Sequence, residues 1–324
     1  MTLHAWSSDH FDVPLPDGHP FPIAKYRMLR ERLLAEGVIE PDALHRSEPA
    51  PIEWLLAVHD ADYVARVFDG RLTSAEIRRL GMPWSPELVA RARAAVWGTV
   101  RAAEAALGAS AGAPAGPGIA GNLAGGTHHA FRDRAEGYCL FNDFAVAIAR
   151  LREAGAAQRP FIADLDVHQG NGTAAIFEHD PTVFTLSIHA EANYPANKER
   201  SRIDVGLPAG CEDAEYVAAL DRHLPAALDR HRPDIVFYQA GVDALSGDRF
   251  GRLALSFEGL AARDQRVFSW CEERGLPIVL TLGGGYARPI ERSVEAHARV
   301  WRAARAVEER RAARTPAAGA ARPA

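Results

Sequence analysis

From residue 119 onward the chain alternates between two patterns: short apolar runs, and longer stretches in which apolar residues recur every three or four positions. The short runs predict strands at 119–123, 160–165, 182–188, 234–240 and 277–282. The periodic stretches predict helices at 144–154, 173–178, 213–230, 257–274 and 289–308. Apolar strands separated by helices imply a mostly parallel sheet covered on both faces, an α/β fold. Ahead of this alternation lie helices alone. Over 22–36, Ile23, Tyr26, Leu29, Leu33 and Leu34 keep helical spacing, with Pro22 near the start and Gly37 past the end, as on a surface helix. Residues 55–68 also read as helical. The turn Gly81-Met82-Pro83-Trp84 delivers Ser85 as N-cap and Pro86 as the first residue of a long helix reaching about residue 107.

No internal repeat and no domain boundary interrupts this order. The Ala-, Gly- and Pro-rich stretch 108–118 reads as a loop, because strand-like residues resume at once. The last residues, 310–324, are Ala, Arg and Pro without an apolar period and are expected to form a disordered tail behind one domain spanning 1–309. At 324 residues the chain is long enough to bury a sizeable core. A net charge of -5, with no basic cluster interleaved with aromatics, argues against direct contact with nucleic acid. No window approaches the roughly 18 apolar residues of a membrane span, and no basic-then-apolar leader opens the chain, so no membrane partner and a cytoplasmic location are expected. Cys139, Cys211 and Cys271 are few, widely spaced and odd in number. That fits a reducing compartment and excludes both a disulfide framework and a cysteine zinc site. Any metal must use histidines and carboxylates.

Chemistry concentrates on the loops that leave the strands. In Phe161-Ile-Ala-Asp-Leu-Asp-Val-His-Gln-Gly-Asn-Gly172 an apolar run becomes an alternating one, which sets Asp164, Asp166 and His168 on one side. Two buried carboxylates beside an imidazole need compensation, and a metal is the simplest. Gly125-Gly126-Thr127-His128-His129 adds two imidazoles; taken alone, such a pair diverges into one buried and one exposed ring. Strand 234–240 runs on to Asp243, which could instead be a turn residue, as could Asp248. Gly283-Gly284-Gly285-Tyr286 presents a phenol and has neither phosphate-binding signature. Asp166, His168 and Asp243 would make a three-ligand site with an open position, as in catalytic zinc centres. A zinc ion acidifies water and polarises a carbonyl, an imidazole shuttles the proton, and a tyrosine stabilises an oxyanion. Those are the parts of an amidohydrolase.

These motifs, in this order, resemble the zinc-dependent histone deacetylases of the arginase/deacetylase fold. The likeness extends to Gly137-Tyr138-Cys139, Phe141-Asn142-Asp143 and Ser187-Ile188-His189. The stretch Asp-Leu-Asp-x-His-Gln-Gly-Asn-Gly, the turn at 81–85 and Asn193-Tyr194-Pro195 look most like the class IV branch and its bacterial relatives. The resemblance implies Zn²⁺ at Asp166, His168 and Asp243, with Fe²⁺ as an alternative that this donor set does not reject. It implies His129 as general base and acid, His128 as its electrostatic partner oriented by Asp164, and Tyr286 as oxyanion donor. It also implies a K⁺ or Na⁺ site shared by Asp164, Asp166, His168, Ser187 and Ile188, and a tunnel for an acyl-lysine lined by Gly137, Tyr138, Tyr194 and Gly284. Most of the family pairs the second imidazole with Asp, whereas Asn171 stands here. A neutral amide stabilises an imidazolium less, so His129 is expected to resist protonation.

The expected activity is removal of acetyl or longer acyl groups from lysine ε-amines in a protein or peptide. One alternative is an acetylpolyamine or other small acylated amine as substrate, which carboxylates near the tunnel such as Glu191, Glu199, Glu212 or Asp213 would favour. Others are a binuclear manganese ureohydrolase, which needs further Asp and His ligands, and a non-catalytic binder of acyl groups.

Overall fold

Buried Phe161 and Ala163 belong to one apolar core and Ile162, between them, to another, so a single strand has a hydrophobic layer on each face. The computed structural model describes residues 2–108 and 118–314. In its N-terminal part β1 is His4–Ser7, α1 Ala24–Ala35, β2 Leu44–Arg46, α2 Ile52–Leu56, α3 Ala61–Phe68, α4 Ser74–Leu80 and α5 Pro86–Ala106. The alternating part begins with β3 Ile119–Asn122, α6 Asp143–Glu153, β4 Pro160–Asp164, α7 Asn171–Phe177, β5 Phe184–Ala190 and β6 Ile203–Leu207. It ends with α8 Asp213–His231, β7 Ile235–Gln239, α9 Phe257–Glu273, β8 Ile278–Thr281 and α10 Glu291–Arg314.

The strands form one eight-stranded sheet in the order β2-β1-β3-β8-β7-β4-β5-β6, and every pairing is parallel. Helices α1, α8, α9 and α10 bury their apolar stripes on one face, and α2, α3, α5, α6 and α7 on the other. This is the parallel sheet with helices on both faces that the alternation predicted, and it agrees with the fold that the resemblance implies. Its central strands β3, β8, β7, β4 and β5 are neighbours, so the loops at their carboxyl ends converge on one rim, where open α/β sheets place ligands.

Local patterns misjudged some elements for identifiable reasons. Strands β1, β2 and β6 carry no long apolar run. β2 and β6 are edge strands, and β6 alternates exposed and buried residues instead. The helix expected over 55–68 is two, interrupted where the Asp60 N–H donates to the Arg132 carbonyl at 2.9 Å. Helix α4, which the apolar pattern did not reveal, opens with a capping box between Thr73 and Glu76. The long helix does start at Pro86, with the Ser85 hydroxyl accepting from Leu88 N–H. Helix α10 continues five residues into the segment expected to be disordered, because Arg310 and Arg314 reach Glu272 on α9. Residues 315–324 of that segment, and 109–117 of the expected loop at 108–118, lie outside the described residues. Among the described residues no helix is long and apolar enough to cross a membrane.

Candidate active site

Strand β4 pairs with β7 in register from Pro160–Ile235 to Asp164–Gln239, so the chain beyond β4 and the chain beyond β7 leave the sheet side by side. That juxtaposition brings Asp243 to Asp166 and His168 across 75 positions of sequence. Ligand atoms of the three lie within 4.8 Å of one another, and among the described residues they are the one such group of three or more. His168 Nδ1 is 3.1 Å from Asp166 Oδ1 and 3.1 Å from Asp243 Oδ2. The remaining carboxylate oxygens are engaged from outside the cluster. Gly284 N–H donates to Asp166 Oδ2 at 2.7 Å and Val167 N–H to Asp243 Oδ1 at 3.0 Å. Asp243 is therefore no helix cap. Gly284 must be glycine, since a Cβ there would stand 1.7 Å from Asp243 Oδ2.

The cluster is short of positive charge. Asp243 Oδ2 is buried and accepts no hydrogen bond in proper alignment. Burial and Asp166 push the Asp243 carboxyl up to about 7, and the two carboxylates, overcoming burial, push His168 up to about 10. Two buried carboxylates around one imidazole are a donor set that could hold a metal ion, and a divalent cation would suit it better than a proton.

Asp164 turns the other way. Its Oδ2 accepts from His128 Nδ1 at 2.7 Å, and the neighbouring charge outweighs burial, raising His128 to about 9. Asp164 and Ser187 are register partners of β4 and β5, so the proposed monovalent-cation residues do adjoin, and the Ser187 hydroxyl is 2.9 Å from His189 Nδ1. Both tandem imidazoles are buried, with centroids 4.1 Å apart, which corrects the expectation that such a pair splits into one buried and one exposed ring. Asp143 makes this possible by holding the loop: it accepts from Gly126 N–H, Thr127 N–H and the Thr127 hydroxyl.

His129 Nδ1 donates to Asn171 Oδ1 at 2.7 Å. The amide on the other side of Asn171 donates to Glu136 Oε1 at 2.8 Å, and the Tyr194 hydroxyl donates to the same oxygen at 2.9 Å. A carboxylate only accepts, so Glu136 dictates which way the Asn171 amide faces, and that in turn fixes the proton on His129 Nδ1. Nε2 keeps a lone pair. Burial, His128 and His168 hold His129 well below the usual histidine range, so the ring is neutral. Sequence reading missed Glu136, since nothing local distinguishes it from a solvated charge.

Lys25 was missed as well, although a signal existed: it lies one and two turns before Leu29 and Leu33 on the buried stripe of α1. Its Nζ donates to the carbonyls of Gly283 and Gly285 at 3.3 Å and lies 5.2 Å from the Tyr286 ring centroid. Asp248 is the turn carboxylate, accepting from Phe250, Gly251 and Tyr286 N–H. Burial, Asp243 and Asp166 hold the Tyr286 phenol well above its ordinary value, so it keeps its O–H.

His129, His168, Gly137, Tyr138, Tyr194 and Tyr286 line one cavity of about 440 Å³. Gly137 admits this closeness, because at its φ of 53° a Cβ would stand 2.6 Å from the His129 ring. Tyr194, 40% exposed, packs edge-on against His129 with centroids 5.0 Å apart. None of Glu191, Glu199, Glu212 and Asp213 lines this cavity; Asp213 accepts from the backbone and hydroxyl of Ser256 ahead of α9.

A family model of the histone deacetylase domain matches residues 19–301. Among curated proteins, an uncharacterized protein of Picosynechococcus sp. is 46% identical over 91% of this chain and 96% of its own. Histone deacetylase 2 of Arabidopsis thaliana is 31% identical over 86% of this chain and 73% of its own. A probable deacetylase of Methanothermobacter thermautotrophicus is 33% identical, covering 73% and 72%. Two solved structures are similar: an HDAC homolog complexed with SAHA (TM-score 0.78, 25% identity, 94% of this chain and 84% of that one) and an HDAC homolog from Aquifex aeolicus (0.77, 25%, 95% and 84%). A buried Asp-His-Asp group whose imidazole lies 6.0 Å from the second of two tandem imidazoles, on this sheet and with these relatives, places the chain in the histone deacetylase family, as a hydrolase of the deacetylase type.

Proposed function

We propose that the protein is a zinc-dependent deacylase that hydrolyses the amide of an acylated lysine side chain. The observation that carries this reading is the shared cavity: the neutral His129 imidazole, the protonated Tyr286 phenol and His168 of the Asp-His-Asp group line one passage walled by Tyr138 and Tyr194. Asp166, His168 and Asp243 would hold the ion, and a divalent zinc supplies acidification of water and polarisation of the acyl carbonyl. The rest falls to the chain. His129 takes the water's proton at Nε2, since Nδ1 is committed to Asn171, and returns it to the departing amine nitrogen. His128, held cationic by Asp164, adds positive charge beside the reacting atoms. The Tyr286 O–H donates to the acyl oxygen as that oxygen gains charge. Gly137, Tyr138 and Tyr194 pack the aliphatic stem of the lysine. Asp164, Asp166, His168, Ser187 and Ile188 would hold K⁺ or Na⁺ beneath the site. Three free, buried cysteines support a reducing, cytoplasmic setting.

A polyamine substrate is not favoured, because no carboxylate lines the cavity. The test is release of acetate and longer acyl groups from one lysine peptide. Activity should fall on chelation and return with zinc. Tyr286→Phe should lower kcat by roughly 10²–10³-fold, the usual cost of one oxyanion donor, with little change in KM. Full activity in Asp243→Ala would overturn the metal assignment, and Fe²⁺ reconstitution decides between the two ions.

A further inference from the structure

The same cavity has a charged rim that the reaction does not use. Apart from the two histidines His129 and His168, the titratable or charged residues lining it are the tyrosines and Arg79, Arg249 and Arg252, and no Asp or Glu accompanies them. All three are exposed, and among the described residues none of them has a carboxylate within 4 Å. Elsewhere on this surface arginines near acidic groups are paired with them: Arg66 meets Asp62 and Glu76, and Arg302 meets Glu36 and Glu295. The rim arginines are held apart from such partners while their backbones are pinned. The Arg79 carbonyl accepts from Gly137 N–H at 3.2 Å, beside the passage wall. Arg249 sits on the turn that Asp248 organises, stacks 5.4 Å over Phe250, and is near enough to act electrostatically on Tyr138. The Arg252 carbonyl accepts from Gly210 N–H at 2.7 Å. Arg79 acts likewise on Tyr194. Positive charge therefore stands beside both aromatic walls; at Tyr194 it is accompanied by Glu136, whose Oε1 already accepts from the Tyr194 hydroxyl and the Asn171 amide and whose Oε2 lies 3.8 Å from Arg134.

On the reading above, the acyl group lies at the inner end of the passage and the amine half of the substrate projects past this rim. We infer that the enzyme selects acyl amides whose amine half carries negative charge: carboxylates or phosphates a few ångströms outside the passage. In a protein these are acidic residues beside the acyl-lysine; in a small molecule, a free carboxylate or phosphate on the amine. Exposed charges of this kind act mainly on encounter and discriminate by modest factors each, so three together give about a tenfold preference that salt removes. The inference rests on the deacylase reading.

The test compares acetyl-lysine peptides flanked by Asp, Ser or Lys, and a fourth, Ser-flanked, ending in a free carboxylate directly after the acetyl-lysine. Expected is a kcat/KM about tenfold higher for the Asp than for the Lys peptide at 20 mM salt, as an order of magnitude, shrinking toward unity at 0.5 M, where charges are screened within a few ångströms. Arg79→Glu, Arg249→Glu and Arg252→Glu, combined, should reverse the order. A gain for the free-carboxylate peptide equal to that of the Asp peptide would assign the rim to a terminal carboxylate, and a gain for Asp alone to protein segments. Hydrolysis of the Ser peptide with no preference among the charged ones would overturn this inference and leave the deacylase reading standing. If no peptide is hydrolysed, the deacylase reading fails, and anisotropy of the same labelled peptides still decides whether the rim prefers acidic ones.

Discussion

Asn171 and Glu136 show how much chemistry rests on one residue's orientation. The family resemblance placed a neutral amide behind His129, and the fold adds a carboxylate behind that amide. The ionised group is thus one residue farther from the imidazole than a directly bonded Asp would be, which fixes the tautomer while stabilising an imidazolium less. Glu136→Leu should let the Asn171 amide turn and free Tyr194, lowering kcat by about 10–100-fold, as loss of such outer partners does. Glu136→Gln keeps an acceptor for Asn171 and should restore most of the rate. Equal kcat values for wild type and Glu136→Leu, measured on one acetyl-lysine peptide, would show that the amide holds its orientation without help.

At the scale of elements, α9 secures the loops that bear the proposed ligands. Arg263 on α9 is fully buried, donates to the carbonyls of Leu165 and Gly241, and pairs with Asp264, which also accepts from the Tyr238 hydroxyl. Leu165 and Gly241 adjoin Asp166 and, two residues on, Asp243. One guanidinium therefore ties both loops to the sheet. Removing one member of a buried pair leaves the other uncompensated, so Arg263→Met should destabilise by about 3–5 kcal/mol in urea unfolding. Arg263→Met with Asp264→Leu should recover part of that stability but not the activity, because the two carbonyls stay untied. Recovery of both would assign Arg263 to packing alone.

For the molecule as a whole, buried neutral histidines make stability depend on acid. His59 holds the junction of α2 and α3 against the loop after the tandem imidazoles: its Nδ1 donates to the Phe131 carbonyl and its Nε2 accepts from Asn142 N–H. Burial lowers it to about 4, below the 6.5 of an exposed ring. Between those values the unfolded chain binds a proton that the folded chain refuses. The His59 contribution is therefore fully present above pH 6.5 and lost as pH falls toward 4, in all about 3 kcal/mol. Unfolding of His59→Gln should accordingly lose less stability than wild type between pH 7.5 and 4.5, whatever its stability at pH 7.5. Parallel slopes for the two proteins would contradict this.

The alternation of apolar runs and periodic stretches determined the fold class, and residue type at strand ends pointed to the proposed chemistry: Asp166, His168, Asp243, the tandem imidazoles and Tyr286 were legible as candidates because each followed a strand or a glycine turn. Edge strands β2 and β6 were not, since a half-exposed strand needs no continuous apolar run, and β1, inside the sheet, has only four residues. Only the tertiary structure decided which side chains stand behind the first ones. Parallel register set Asp243 beside His168, the packing of α1 brought Lys25 under the glycine loop, and loop meeting loop put Glu136 behind Asn171 and three arginines around one rim. A local sequence records what a residue can bond; which partner it meets depends on contacts between segments far apart in the chain.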